Sequence, residues 1–153
     1  MRVDRASRMI AAPRERVFRA LVERNAVAEW LPPAGSKGIL EEFDPTPGGS
    51  FKLTLVFDGD DAVGKTSAKT DVVEGKFVAI RPVERIDQEF TFVASDAGFS
   101  GVMSMSWTFS ETPNGTLVEV AASNVPPGIT PEDHQTGMKS SLENLDRYLT
   151  STS

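Results

Sequence analysis

The chain has 153 residues, 39% of them hydrophobic, with 16 basic and 22 acidic side chains and a formal net charge of −6 at pH 7. This length and apolar content are typical of one domain with a packed core, so we expect residues 1–153 to form a single domain. An acidic chain without a basic run repels phosphate backbones, which argues against nucleic acid as a partner. Because cysteine is absent, disulfides, thiolate metal sites and cysteine nucleophiles are excluded.

The N-terminal segment lacks the long apolar core of a signal peptide. No stretch approaches the roughly 20 apolar residues that a membrane helix needs. We therefore expect a cytoplasmic protein without a membrane span.

The first elements are predicted to be an edge strand and two helices. Residues 3–10 alternate loosely, as a strand does. Pro13 is expected at the first position of a helix, where proline is favoured. An apolar stripe at helical spacing follows, formed by Val17, Phe18, Leu21 and Val22. Asn25 is a candidate cap for a second short helix, which Pro32 and Pro33 would end.

The middle of the chain alternates with a period of two, which is typical of β-strands. Strands are predicted over residues 39–43, 51–57, 72–80, 85–93, 101–110 and 117–122. A long polar loop is predicted over 58–71, and a hairpin turn over 112–115, where Asn-Gly accepts a positive φ. Since no βαβ crossover is present, the sheet should be antiparallel.

The last element is predicted to be a long helix. Thr130 can cap it and Pro131 suits its first position. Its buried stripe should consist of Met138, Leu142, Leu145 and Leu149. Extending this stripe back by one turn reaches His134, which should therefore point toward the sheet.

Six segments, in this order and spacing, are similar to those of a known superfamily: IAAPRERVFRAL, EWLPP, PGGSFKL, GKFVAIRPVERIDQEFTF, NGTLVEV and GMKSSLENLDRYL. The chain resembles the START-like, or SRPBCC, superfamily, and within it the branch of homologues of the activator of heat-shock protein 90 ATPase. This resemblance implies an α+β helix-grip fold, in which a curved antiparallel sheet of six or seven strands surrounds a long C-terminal helix. Two short helices should follow the first strand.

The chain departs from this family at two places. Family members often have a tryptophan after the glycine of the final helix, where this chain has Met138. A flexible thioether in place of a flat ring could enlarge the interior space. The segment 58–71 also looks longer than usual, which affects the rim of any pocket.

The resemblance also implies a site between sheet and helix. A helix of about 19 residues is roughly 28 Å long and cannot contact a bent sheet everywhere. The space left over would suit a small apolar molecule. The candidate ligand-binding residues are Trp30, Phe51, Gln88, Phe90, Met103, Met105, Trp107, His134 and Met138.

Each candidate also has a simpler structural explanation. His134 could exchange a proton with a bound carbonyl compound, or merely hydrogen-bond a nearby loop. Gln88 could orient a ligand, or bind a neighbouring side chain or water. Trp30 could cover the pocket mouth, or fix the helical corner to the sheet. The methionines and Trp107 could line a cavity, or belong to an ordinary core.

These observations favour a protein that binds a small hydrophobic ligand, and they assign no catalytic residue. One alternative is a START-like enzyme of the cyclase or dehydratase type that uses His134. Another is a module that interacts with a chaperone. No cofactor and no metal are expected, because one histidine and no cysteine do not make a transition-metal site. The oligomeric state stays open, with a homodimer among the alternatives.

Overall fold

The computed structural model of the protein describes residues 2–32, 36–57, 70–92 and 101–151. Most of the predicted loop 58–71 lies outside the described residues, as does residue 93 of a predicted strand. The end of that loop was predicted wrongly, since Thr70 and Asp71 already belong to a strand that pairs with its neighbour.

The elements follow one another in the predicted order of strand, two helices, six strands and a long helix. They are β1 Val3–Ile10, α1 Arg14–Val22, α2 Arg24–Trp30, β2 Ser36–Phe43, β3 Ser50–Phe57, β4 Thr70–Arg81, β5 Arg85–Phe92, β6 Met103–Thr112, β7 Gly115–Ser123 and α3 Pro131–Ser151. Within the described residues, the strands form one antiparallel sheet in the order β1-β7-β6-β5-β4-β3-β2. This confirms the α+β helix-grip fold, with seven strands.

Two features of the sheet shape the concave face. The strand β1 pairs with β7 along its whole length, so the first strand lies beside the last one and provides the sheet edge on which α3 packs. Register shifts interrupt β2 between Leu40 and Glu42, and β4 between Phe77 and Ala79. Such bulges bend a strand and increase its twist. The far end of the sheet therefore bends relative to the edge at β1.

The predicted buried stripe of α3 is confirmed. Met138, Leu142, Leu145 and Leu149 are each 3% exposed or less. They pack into the core that also contains Val118 and Val120 from β7. Complete burial of a leucine side chain contributes about 1.5–3 kcal/mol, so this stripe holds the helix against the sheet.

The start of α3 also agrees with its prediction. The Thr130 hydroxyl accepts a hydrogen bond from the Asp133 backbone N–H at 3.1 Å, and Pro131 is the first helical residue. This cap satisfies one of the backbone donors that a helix start leaves free. The first turn of α3 is therefore fixed in place.

Two predictions about the short helices were wrong in detail. Pro13 precedes α1 with an extended backbone, and its carbonyl accepts the N–H of Arg16 at 3.0 Å. Asn25 lies inside α2, which begins after Glu23 without a side-chain cap. Glu23 is extended and its carbonyl accepts the N–H of Val27 at 3.0 Å, so one extended residue suffices to separate the helices.

The hairpin between β6 and β7 was predicted correctly. Thr112 pairs with Gly115, and Gly115 has a φ of +144°. A Cβ atom at this position would lie 2.1 Å from the carbonyl oxygen of Ile10, which is backbone and cannot move aside. The hairpin therefore requires glycine here, both for its dihedral angle and for the approach of β1.

No helix in the described ranges combines the length and the apolar character needed to cross a membrane.

A matched pair of glycine substitutions tests this geometry. Gly115→Ala should destabilise the protein by more than about 1 kcal/mol, because alanine is unfavourable at positive φ and its Cβ would collide with β1. Gly137→Ala should stabilise it by about 0.5–1 kcal/mol, because Gly137 is helical and a Cβ there meets nothing within 4 Å. Urea unfolding of both variants measures the difference. Equal effects of the two substitutions would contradict the hairpin geometry.

Candidate functional site

A cavity of about 510 Å³ lies between the concave face of the sheet and α3. Its walls come from strands β3 to β7, from the two short helices and from the first half of α3. All nine candidate residues line it: Trp30, Phe51, Gln88, Phe90, Met103, Met105, Trp107, His134 and Met138. The structure thus brings them together at one place, and their contact with a ligand stays a prediction.

The sequence analysis missed other residues that line the cavity. Some are apolar: Leu21, Val27, Leu31, Leu53, Leu55, Val73 and Val120. The others form a polar and small stripe on α3: Asp133, Thr136, Gly137, Ser140 and Ser141. This stripe repeats at steps of three and four beside Met138, so helical periodicity alone could have revealed it. The apolar residues could not be separated from ordinary core residues by pattern.

Aromatic rings in edge-to-face contact form the apolar wall. The ring centroids of Phe51 and Phe90 are 5.3 Å apart, and those of Trp30 and Trp107 are 5.9 Å apart at an interplanar angle of 81°. Edge-to-face pairs of this kind add about 0.5–1.5 kcal/mol beyond burial. The wall on this side of the cavity is therefore well fixed.

Trp30 has the structural role that was one of its two predicted alternatives. Its indole N–H donates to the backbone carbonyl of Ala20 at 2.7 Å, and the side chain is 3% exposed. It joins α2 to α1 while one ring edge faces Trp107. We conclude that Trp30 is a fixed part of the cavity wall.

Gln88 also has a protein partner, as its simpler explanation predicted. The indole N–H of Trp107 donates to Oε1 of Gln88 at 3.0 Å, with both side chains buried. This bond fixes the orientation of the amide, since only its oxygen can accept. The Nε2 group makes no hydrogen bond to the described part of the chain. Gln88 therefore has a donor left over at the cavity.

His134 is bound to a strand, not to a nearby loop as its simpler explanation predicted. Its Nδ1 lies 2.7 Å from Oδ2 of Asp4 on β1, and the two side chains are 11% and 7% exposed. Asp4 also accepts two hydrogen bonds from the Arg2 guanidinium, at 3.1 and 2.8 Å. The partner of His134 is distant in sequence for a topological reason. The pairing of β1 with β7 brings Asp4, 130 positions away, beside the start of α3.

The charge of Asp4 determines the tautomer of His134. Hydrogen bonds from Arg2, and to a smaller extent from His134, lower the pKa of Asp4 from its ordinary value of 3.8, although burial acts in the opposite direction. The ionised carboxylate only accepts hydrogen bonds, so Nδ1 of His134 must carry the proton. In the neutral imidazole, Nε2 is then an acceptor.

This arrangement has a limited chemical capacity. A carboxylate-bound imidazole can accept or donate a proton at Nε2. Nε2 of His134 makes no hydrogen bond to the described residues. The described part of the site therefore provides the His134 imidazole, the Gln88 amide donor, the polar α3 side chains Asp133, Thr136, Ser140 and Ser141, and an apolar wall.

The open sheet, the long helix in its concave face and the cavity between them define a helix-grip α+β protein. Residues 11–150 match the family described as activator of Hsp90 ATPase homolog 1-like protein. The match spans most of the chain, and the chain belongs to this family. The fold supports a role in ligand binding or in protein interaction.

Solved structures show the same fold over nearly the whole chain. Protein CV1439 of Chromobacterium violaceum is 26% identical with a TM-score of 0.84, over 97% of this chain and 98% of that one. Protein MLL2253 of Mesorhizobium loti is 22% identical with a TM-score of 0.75, over 99% of both chains. An AHSA1-like protein of Aeromonas hydrophila is 18% identical with a TM-score of 0.74, over 98% and 93%. No functionally curated protein matches significantly.

The Asp4 cluster, formed by Arg2, Asp4 and His134, should stabilise the protein in a pH-dependent way. Asp4→Asn should lower the free energy of unfolding at pH 7 by about 1–3 kcal/mol, because it weakens buried hydrogen bonds to charged groups. The pKa of Asp4 is lower in the folded state than its ordinary value of 3.8. The contribution of the ionised Asp4 to the free energy of unfolding is therefore complete above its ordinary pKa of 3.8. It is lost as the pH falls through the lower pKa of the folded state.

Denaturant unfolding between pH 7 and pH 3 measures this effect. The matched control is Asp146→Asn, which removes the more exposed contact between α3 and Arg8 of β1 and should cost less than about 1 kcal/mol. A difference between wild type and Asp4→Asn that is as large at pH 3 as at pH 7 would contradict the role of the Asp4 charge.

Proposed function

We propose that the protein binds a small hydrophobic molecule in the cavity between the curved sheet and α3. The observation that carries the proposal is the cavity itself, about 510 Å³ in volume, with aromatic, methionine and aliphatic walls and a polar stripe along α3. Small-molecule sites usually have this size and composition. A single-domain, cytoplasmic protein is part of the same proposal.

The identity of residue 138 explains why the space is not filled from within. Met138 is 3% exposed and lines the cavity from α3. Methionine is flexible and narrower than tryptophan, so it leaves room and adapts to the shape of a guest. Met103 and Met105 on β6 add the same adaptability from the opposite side. Three methionines around one cavity favour a site that accepts a molecule over a rigid core.

The energetics favour an apolar guest. Each Å² of apolar surface removed from water contributes about 25 cal/mol. The edge-to-face aromatic pairs are already held by the protein, so a ligand would not have to order them. A preformed wall of this kind lowers the entropic cost of binding.

An enzyme of the cyclase or dehydratase type is a second candidate function. The observation that favours it is the 2.7 Å contact between His134 and Asp4 at the edge of the cavity. This function would need a second polar group that acts on the same substrate atom. Binding without chemistry needs no such group, so it is the simpler proposal.

Interaction with a chaperone rests on the family description alone. The cavity walls face inward, and they offer no argument for a protein partner. This alternative would be supported if the protein stimulated the ATPase of a chaperone, and the cavity would then be incidental to function.

Native mass spectrometry of freshly purified protein tests the occupancy of the cavity. A bound molecule should add about a few hundred daltons, the size of guest that such pockets hold. Denaturation should release this mass, because the ligand would be held without a covalent bond.

Met138→Trp tests the location of the site. The indole should occupy part of the cavity, so the affinity for an apolar fluorescent probe should fall at least about tenfold, the equivalent of about 1.4 kcal/mol. The protein should keep its melting temperature, since a larger side chain is costly only where no room exists, by about 1–3 kcal/mol. Fluorescence titration and thermal unfolding measure the two quantities.

The matched control is Met9→Trp, because Met9 is 45% exposed and is not among the residues that line the cavity. It should bind the probe like the wild type. If Met138→Trp also binds like the wild type, the ligand does not occupy this cavity and the proposal fails.

A further inference from the structure

The register of the sheet aligns four residues in one row across the concave face. Gln88 of β5 pairs with Met105 of β6, Met105 pairs with Ala122 of β7, and Ala122 pairs with Asp4 of β1. Neighbouring strands are about 4.8 Å apart, so the two ends of the row are roughly 14 Å apart along the sheet. The row crosses the floor of the region that α3 covers.

The two ends of this row are polar and its middle is apolar. At one end, Oε1 of Gln88 accepts from Trp107, and its Nε2 group makes no hydrogen bond within the described ranges. At the other end, Nδ1 of His134 contacts Asp4, and Nε2 makes no hydrogen bond to the described part of the chain. Between them lie Met105, which lines the cavity, and Ala122, which is fully buried beneath the surface of the cavity and does not line it. A molecule that lies along the row would meet an amide donor, then an apolar floor, then an imidazole nitrogen.

The charges around the cavity argue against an ionic ligand. Among its described lining residues there is no lysine or arginine, while Asp133 is present. A carboxylate ligand would thus lack a cationic partner and would lie near a negative side chain. A cationic ligand would be attracted by Asp133, but the row itself offers it only the amide donor of Gln88, which repels positive charge, at one end. An uncharged guest suits both ends of the row.

We propose that the ligand is an uncharged, elongated and mainly apolar molecule with a carbonyl-type oxygen at one end and a hydroxyl group at the other. The carbonyl oxygen accepts from Nε2 of Gln88. The hydroxyl donates to Nε2 of His134, which is the acceptor of the neutral imidazole because the contact with Asp4 places the proton on Nδ1. This inference names the ligand class for the proposed function and rests on it.

A series of naphthalenes tests the inference. Acetylnaphthol, with its acetyl and hydroxyl groups at opposite ends, should bind most tightly. Acetylnaphthalene and naphthol, with one group each, should bind about three- to tenfold more weakly, the value of one net hydrogen bond. Naphthalene should be weaker again by a similar factor, and naphthoate should be the weakest. Affinities are measured by fluorescence titration near neutral pH.

Two substitutions should each remove the hydrogen-bonding group at one polar end of the row. Gln88→Met keeps the volume but has no donor, so it should weaken only the acetyl compounds, by about three- to tenfold. His134→Asn keeps an amide N–H for Asp4 and loses Nε2, so it should weaken only the hydroxyl compounds. Gln135→Met is the matched control, since Gln135 lies on α3 and is not among the residues that line the cavity.

Gln88→Met also removes the partner of the Trp107 N–H, so it could unfold the protein. In that case the variant Gln88→Glu is used in place of Gln88→Met, because a carboxylate oxygen can still accept from the Trp107 indole while the amide donor is gone. It should weaken the acetyl compounds and leave naphthalene unchanged.

The outcomes separate the two levels of the proposal. If no naphthalene binds, and Met138→Trp changes nothing, the proposed binding function fails and this inference fails with it. If the compounds bind but the acetyl and hydroxyl groups add no affinity, the cavity binds apolar molecules and the proposed ligand class is wrong. The same holds if each group adds as much affinity in the Gln88 and His134 variants as in the wild type. Tightest binding by naphthoate would overturn the inference in the same way.

Discussion

The mismatch between a straight helix and a curved sheet determines most of this structure. The α3 stripe of Met138, Leu142, Leu145 and Leu149 is buried against the sheet. Toward the first half of the helix the surfaces separate, and the 510 Å³ cavity opens there. Because protein interiors otherwise pack at the density of organic crystals, a space of this size needs a rigid frame that does not collapse into it. The sheet bulges and the edge-to-face aromatic pairs supply part of that frame.

The other part of the frame is the Asp4 cluster at the start of α3. The helix is held by its leucines at one end, and the 2.7 Å contact of His134 with Asp4 attaches the other end to β1. Arg2 keeps Asp4 ionised, and the Thr130 cap fixes the first turn. Since these contacts lie beside the cavity, the groups that attach the helix to β1 also determine which nitrogen of His134 has no hydrogen bond to the described residues. Support of the fold and chemistry of the site thus share the same residues.

The sequence predicted much of this, for reasons that can be named. Periodicity is a local property, so the strand alternation of Met103 to Phe109 and the helical stripe of α3 were sufficient to find the two buried faces, and the family resemblance implied the cavity between them. The partners of the polar residues are not local. Asp4 lies 130 positions from His134, and only the pairing of β1 with β7 brings them together. The bond from Trp107 to Gln88 likewise depends on the register of β5 and β6. Short-range errors, such as Asn25, arose where one extended residue replaced a side-chain cap.

In the proposed binding function, the polar ends of the row from Gln88 to Asp4 would make an apolar site selective. Apolar burial has no direction, so walls of phenylalanine and methionine alone accept many guests. A polar group in such walls is useful only if it cannot rotate to satisfy itself. Gln88 commits its oxygen to Trp107, and His134 commits Nδ1 to Asp4. Each therefore presents one defined group, and a guest without the matching atom would leave that group unpaired at a cost of about 1–3 kcal/mol. In the proposed binding function, the selectivity of this cavity would follow from hydrogen bonds that the protein makes to itself.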